Sequence, residues 1–252
     1  MKFMQTSRSR NWLGRLGGDR GHYVTDAIHE PVEKVLDVGC AYGWTLDALT
    51  GRARELWGVD MNSDALAEAR RSYPHIHFVH QTAAALPFDD GVFDVVILSE
   101  VIEHVGDENK QAVIDEVHRV LKVGGQFIFT APYAGMFAWA DPMDFKRRFP
   151  GIYSSYMRLS RYSPDTAIDI GHKHVSLREI ETLFGDRFTI EHIRYCGLLM
   201  PALTWVLAVG SRLRMLPRRL DHAINRFRAW ESGVPYGRIL SFNIRLAARK
   251  KR

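Results

Sequence analysis

The sequence predicts an α/β fold in which a mostly parallel sheet carries helices on both faces, and three observations predict it. The stretch VLDVGCAYGWTLDAL, residues 35–49, passes from an apolar strand through an acid and two glycines into an apolar helical face. Further apolar runs at 55–59 and 76–79 follow at the spacing of successive βα units. Residues 93–98 are apolar enough to be buried on both faces, as parallel strands are. A chain of 252 residues is long enough to hold all of this in one three-layer domain.

Each element has its own justification. Val35, Leu36 and Val38 supply the first strand, Gly39 and Gly43 permit a tight turn, and Trp44, Leu46 and Leu49 begin a helical face. The second strand, 55–59, ends at Asp60 in LWGVDMNSDAL. Asp60 lies about twenty residues past the glycine turn, where open α/β folds place an acid on ribose hydroxyls. It competes with a plainer role, capping the next helix, for which Asn62, Ser63 and Asp64 are equally available. The third strand is 76–79, and the fourth, 93–98, opens at Ser99 and Glu100 on the edge where such sheets bind ligands. A helix over 110–121, with Val113, Val117, Val120 and Leu121 on one side, is closed by Gly124 and Gly125, and QFIFTAP forms a fifth strand. Ser176 and Glu179 make a capping box before Leu177, Ile180, Leu183 and Phe184, with Gly185 closing that helix. Residues 188–195 alternate as a sixth strand, with Phe188, Ile190, His192 and Arg194 on one face, and RILSFNIRLAARK from Arg238 forms the last.

The glycine turn is not the G-x-G-x-x-G of dinucleotide folds. Asp37, Gly39, Ala41 and Gly43 place an acid before small residues at every second position. A carboxylate there repels a pyrophosphate but suits a ligand bearing an ammonium and a sulfonium. This run resembles the D-x-G-x-G-x-G signature of class I S-adenosylmethionine-dependent methyltransferases, with Ala41 replacing the central glycine. ALPFDDGVFDVVILSEVIEHV and LKVGGQFIFTAPY extend the likeness, so that residues 33–132 resemble the small-molecule branch containing ubiquinone-type O-methyltransferases. The resemblance implies a Rossmann-like α/β fold: a central, mostly parallel seven-stranded sheet with helices on both faces and an antiparallel last strand beside the sixth. It implies S-adenosylmethionine as donor, with Asp37, Gly39, Cys40, Ala41 and Gly43 forming the cradle, Asp60 on the ribose and Met61 against the adenine. Thr82, followed by Ala83, stands where the family commonly has an aspartate near the adenine amino group, and Ser99 and Glu100 close the donor side.

Glu100, Glu103 and His104 in SEVIEH stand at i, i+3 and i+4, one face if the stretch is helical. Three readings stay open: neighbouring loops hydrogen-bonded by Glu103 and His104, His104 as a general base on the acceptor, or a divalent ion held by all three. His172 and His174 in GHKHVSLREI are candidates to face the acceptor from the opposite side. The aromatic and arginine-rich region 133–175 is either an acceptor lid, with Phe137, Trp139, Tyr153 and Tyr156 stacking on a quinone or sugar and Asp141 or Asp144 binding hydroxyls, or a satellite core of its own.

Charge divides the chain. Residues 211–252 sum to +10 and everything before them to −5. Just upstream, 197–211 is an uncharged apolar run, too short for the roughly 20 residues a bilayer span needs. An apolar and arginine-rich insertion over 197–235 suits a helix lying in the plane of an anionic membrane, or a hairpin packed on the sheet edge with solvated arginines. Basic character also raises nucleic acid as a partner, but SEVIEH stands where base-modifying relatives carry an N-P-P-Y type motif. Cys40 and Cys196 are too scattered for a disulfide framework or zinc site, and MKFMQTSRSRNWL lacks an apolar signal core, so a reducing, cytoplasmic location is expected. The expectation is one domain: a donor core over about 30–132, a lid over 133–175 and the apolar-basic insertion. Its expected activity is O-methylation of a lipid-linked, isoprenoid or glycan-type small molecule at a membrane face. A donor-binding subunit without catalysis is the alternative that Ala41 and Thr82 raise.

Overall fold

The computed structural model describes residues 18–28, 31–136, 173–198 and 237–252, with isolated positions between them and the side chains of 18–22 left aside. The chain order is α1 (Gly18–Ala27), β1 (Val32–Val38), α2 (Trp44–Asp47), β2 (Ala53–Asp60), α3 (Ser63–Ser72), β3 (His77–His80), β4 (Phe93–Ser99), a 3-10 turn (Ile102–His104), α4 (Asp107–Val120), β5 (Leu121–Pro132), α5 (Leu177–Phe184), β6 (Phe188–Cys196) and β7 (Asn243–Lys250). The strands form one seven-stranded sheet in the order β3-β2-β1-β4-β5-β7-β6, with β7 antiparallel to both neighbours and the other neighbouring pairs parallel. This is the architecture expected from the sequence.

The chain runs outward through β1, β2 and β3, then returns to lay β4 on the other side of β1. That reversal opens a crevice at the carboxyl ends of β1 and β4, where ligands bind in open sheets. Alternate strand residues feed two cores. Leu36, Val96, Leu98, Phe127 and Phe129 pack with Val113, Val117, Ile180 and Phe184 of α4 and α5. Val35, Val95, Ile97 and Ile128 pack on the opposite face with Val24 and Ile28 near α1 and with Leu46, Leu49 and Leu66. Both faces being covered is why these strands read as continuous apolar runs.

Several boundaries differ from the sequence expectation. Gly124 and Gly125 do not close the preceding helix: α4 ends at Val120, and β5 begins at Leu121 and runs through both glycines. Leu121 pairs with Phe93 and the register then jumps to Val95–Gln126, so the glycine pair is a bulge inside a strand. The helix after the donor turn is a single turn, in which Leu46 is buried while Trp44 lies exposed and stacked on Tyr42 at 5.0 Å. In β6 the register shifts between Ile190 and His192, which leaves Glu191 as the extra residue. Ile193 and Tyr195 therefore join Phe188 and Ile190 on one face, and His192 and Arg194 turn to the other, against the simple alternation. β7 starts at Asn243 rather than Arg238, and its first six residues are all buried because it lies between β5 and β6.

Candidate active site

The crevice is built from the ends of β1 and β2. Gly39, at φ +81°, and Gly43, at φ +76°, take backbone angles that disfavour a side chain. A Cβ at Gly39 would stand 2.2 Å from Val101 Cγ2, and one at Gly43 would stand 2.7 Å from Phe78 Cζ. The Gly39 and Cys40 amides donate to Val59 O at 2.7 and 3.1 Å, which lashes the turn to β2. Ala41 sits at φ +46°, the left-handed angle the family's central glycine would take without strain. Its amide donates to Asp60 Oδ2 at 2.8 Å.

Asp60 does not cap the following helix. Asn62 does, its side chain accepting from the Asp64 and Ala65 amides at 3.1 and 3.0 Å. Asp60 Oδ1 instead accepts from the Asn62 amide at 2.7 Å, so its carboxylate is fixed between the two turns. Asp37 stands near it on β1, 3% exposed. Burial, and then the Asp60 charge, push the Asp37 pKa up to about 7. Burial and the same two acids push the Cys40 thiol up, so it stays protonated and inert. Gln81 donates its amide to Asp60 O at 3.1 Å, drawing the 80–83 loop to the same edge. There Met61 is 70% exposed, its carbonyl 2.8 Å from His80 Nε2, and Thr82 Oγ1 accepts from the Ala84 amide at 3.4 Å. Ala83 packs against the core.

SEVIEH is not an α-helix. Glu100 takes φ +57°, and only Ile102–His104 make a 3-10 turn, so Glu100, Glu103 and His104 do not share a helical face. Among the described residues no three His, Cys, Asp or Glu side chains converge as metal ligands, these included. Glu100 is held to β5: its amide donates to Thr130 O at 2.9 Å, and Thr130 Oγ1 donates to Glu100 Oε1 at 3.1 Å. Ser99 Oγ shares a hydrogen bond with the same Thr130 hydroxyl at 2.8 Å. Glu103 is buried, with Oε1 4.0 Å from Nε2 of the partly exposed His104. The Lys173 amide donates to Glu103 O at 3.2 Å, which brings the His174 segment beside this turn, where the His174 ring stands edge-on to Phe242 at 5.3 Å. His172, and Phe137, Trp139, Asp141, Asp144, Tyr153 and Tyr156 of the expected lid, lie outside the described residues.

Two supports escape a motif search. Thr130, buried in β5, holds Ser99 and Glu100, and its only signal is one hydroxyl in an apolar strand. Arg119 and Glu116 on α4 grip the 86–90 loop: Glu116 Oε2 accepts from the Leu86 amide at 2.6 Å, and Arg119 donates to Leu86 O and Phe88 O at 2.9 and 2.6 Å. An E-x-x-R pair at i, i+3 is its sequence trace.

A family profile described as methyltransferase domain matches residues 36–129, the stretch from β1 through β5. The Uncharacterized methyltransferase YcgJ of Bacillus subtilis is 31% identical over 221 residues, covering 84% of this chain and 80% of that one. The chain belongs to the class I S-adenosylmethionine-dependent methyltransferases. The Demethylmenaquinone methyltransferase of Thermus thermophilus is 30% identical over 171 residues, 62% of this chain and 77% of its own length. The Ubiquinone biosynthesis O-methyltransferase of Pseudomonas fluorescens is 34% identical over 128 residues, 47% of this chain and 54% of its own. Other curated relatives, from Mycolicibacterium smegmatis, Mycobacterium tuberculosis and Synechocystis, are spanned over only 35% to 46% of their length. The fold matches the crystal structure of geranyl diphosphate C-methyltransferase from Streptomyces coelicolor with a TM-score of 0.60 at 16% identity, over 94% of this chain and 78% of that one.

The residues present fit this methyltransferase family's donor. The turn is bare backbone at Gly39 and Gly43, Ala41 keeps the required angle, and two acids face one crevice. Asp37, Asp60 and the 39–43 turn are the groups that would hold S-adenosylmethionine.

Proposed function

We propose that the chain transfers a methyl group from S-adenosylmethionine to a hydroxyl of a lipid-linked, isoprenoid or glycan-type small molecule at the cytoplasmic face of a membrane. S-adenosylmethionine, when bound, supplies an electrophilic methyl group on its sulfonium. Asp37, Asp60 and the glycine turn orient that donor, and alignment is most of what such a displacement needs. His104, partly exposed at the lip, accepts the acceptor's hydroxyl proton, and buried Glu103 steadies the resulting charge. Relatives named for ubiquinone and demethylmenaquinone support an acceptor of this kind.

The observation that carries the membrane part is an aromatic pair, Phe227 and Trp230, exposed at 41% and 62% with ring centroids 5.4 Å apart. It lies within the stretch of net charge +10, and aromatic rings with arginines around them suit an anionic interface. Among the described residues no helix is long and apolar enough to cross a membrane.

The test is incubation of labelled donor with fractionated lipid and soluble extracts, together with flotation on anionic and neutral vesicles. Label in a lipid species, lost by about a hundredfold or more in His104→Ala with product binding intact, is expected. Label only in water-soluble species or nucleic acid, or no flotation on anionic vesicles, refutes the reading.

A further inference from the structure

A second cavity, of about 1170 Å³, lies on the α1 face of the sheet and includes none of the donor-turn residues. Its walls join α1 to the starts of β1, β4 and β5 and to one face of β6 and β7. Two arginines from neighbouring strands line it. Arg194 on β6 is directly opposite Arg245 on the antiparallel β7. Side chains so paired project to the same face with Cβ atoms about 5 Å apart, and like charges placed this way repel. The β6 bulge at Glu191 creates the juxtaposition, because straight alternation would put Arg194 on the core face with Phe188.

Tyr23 on α1 completes the cluster. The Arg245 guanidinium carbon stands 5.6 Å from the Tyr23 ring centroid. Burial pushes the Tyr23 pKa up to about 12 against the opposing charges of Arg194 and Arg245, so its hydroxyl remains a donor at neutral pH. Lys122 and Arg249, which also line the cavity, pair with Asp94 and Glu191, both at 2.7 Å. Among the described residues Arg194 has no carboxylate partner.

We propose that Arg194, Arg245 and the Tyr23 hydroxyl form a second binding site, separate from the donor crevice, for a phosphate-bearing small molecule. Guanidinium forks match the oxygens of a phosphoryl group, which would bring negative charge beside the two neighbouring arginines. The cavity is far larger than a phosphate ion, and Ile28, Val32, Val95 and Ala247 give it an apolar wall for the rest of the molecule.

The test uses the full chain and calorimetric titration with inorganic pyrophosphate, beside flotation on phosphatidylcholine vesicles with and without phosphatidic acid. Saturable pyrophosphate binding is expected, weakened at least tenfold in Arg194→Gln and in Tyr23→Phe, with affinity for S-adenosylhomocysteine unchanged. Arg194 is exposed, so its replacement leaves folding intact. Binding to phosphatidic acid vesicles alone, lost in Arg194→Gln, identifies the phosphate as a lipid headgroup and supports the site. Pyrophosphate binding displaced by S-adenosylhomocysteine, unchanged in Arg194→Gln, or absent from both probes overturns it.

Discussion

Replacing Asp37 by Asn pushes stability and donor binding in opposite directions. The Asp37 pKa rises from 3.8 to about 7 on folding, mainly through burial. Its folded form therefore holds a proton that the unfolded chain has released, and the protein loses stability as pH rises from about 4 through 7. At about 1.36 kcal/mol per pH unit the loss reaches about 4 kcal/mol by pH 8, a large share of a typical domain's total. Asn carries no such charge. In urea unfolding without ligand, Asp37→Asn is more stable than the parent by up to that amount at pH 8, and the gap shrinks steadily toward pH 4. Other shifted acids, such as Asp94 and Glu116, have lowered pKa values, act below the usual carboxylate range and cancel between the two proteins. Donor binding goes the other way, because a charge-assisted hydrogen bond is worth about 2 kcal/mol, close to thirtyfold in Kd. A variant less stable than the parent at pH 8, or one that binds the donor equally well, refutes the reasoning.

With Asp37 half ionised near pH 7, binding of a cationic donor completes its ionisation, so titrations in buffers of different ionisation enthalpy should show about half a proton released, falling to none at pH 9 and in Asp37→Asn. Gly39→Ala adds a left-handed strain of about 1 kcal/mol and a contact 2.2 Å from Val101, so chemical denaturation should register a loss of about 3 kcal/mol with donor binding abolished. Ala41→Gly removes the strain at φ +46° but frees the unfolded chain, and the two nearly cancel to within about 0.5 kcal/mol, whereas Ala41→Val should unfold about 2 kcal/mol more easily. Arg119→Ala releases the carbonyls of Leu86 and Phe88, and steady-state kinetics should show KM for the donor rising several-fold while kcat holds, with partial recovery in Arg119→Lys.

The geometry of the 39–43 turn and of Asp60 was legible because it is carried by backbone and by short-range pattern. Gly39 and Gly43 announce positive φ, Asp37 ends an apolar strand, and Asp60 falls at the next strand's end; each is a local signal. What stayed hidden depends on partners far along the chain. Nothing near Gly124 tells that Leu121 pairs with Phe93, so a strand bulge reads as a helix stop. Nothing near SEVIEH tells that Thr130 grips Glu100, so a left-handed kink reads as helical spacing. The β6 shift at Glu191 reverses a face and moves Arg194 to the cavity, again through pairing with a strand some fifty residues downstream.

The reversed last strand also determines where substrate choice resides. β5 and β6 both end at the edge of the sheet that carries the donor turn, and β7, running antiparallel, begins there. The Tyr133–Val175 bridge and the Lys173–Glu103 hydrogen bond return the chain to that edge before α5 starts. Both long connections, 133–172 and 197–242, therefore leave from and return to the rim of the donor crevice. The Asp37 and Asp60 supports described above rest on β1, β2 and the turns between them. Exchanging either connection for that of another methyltransferase should change the acceptor while leaving donor Kd within about twofold, because loops on a rigid scaffold carry specificity independently of the elements beneath. A swap of 133–172 that weakens donor binding as much as Asp37→Asn does would show instead that the connection forms part of the donor pocket.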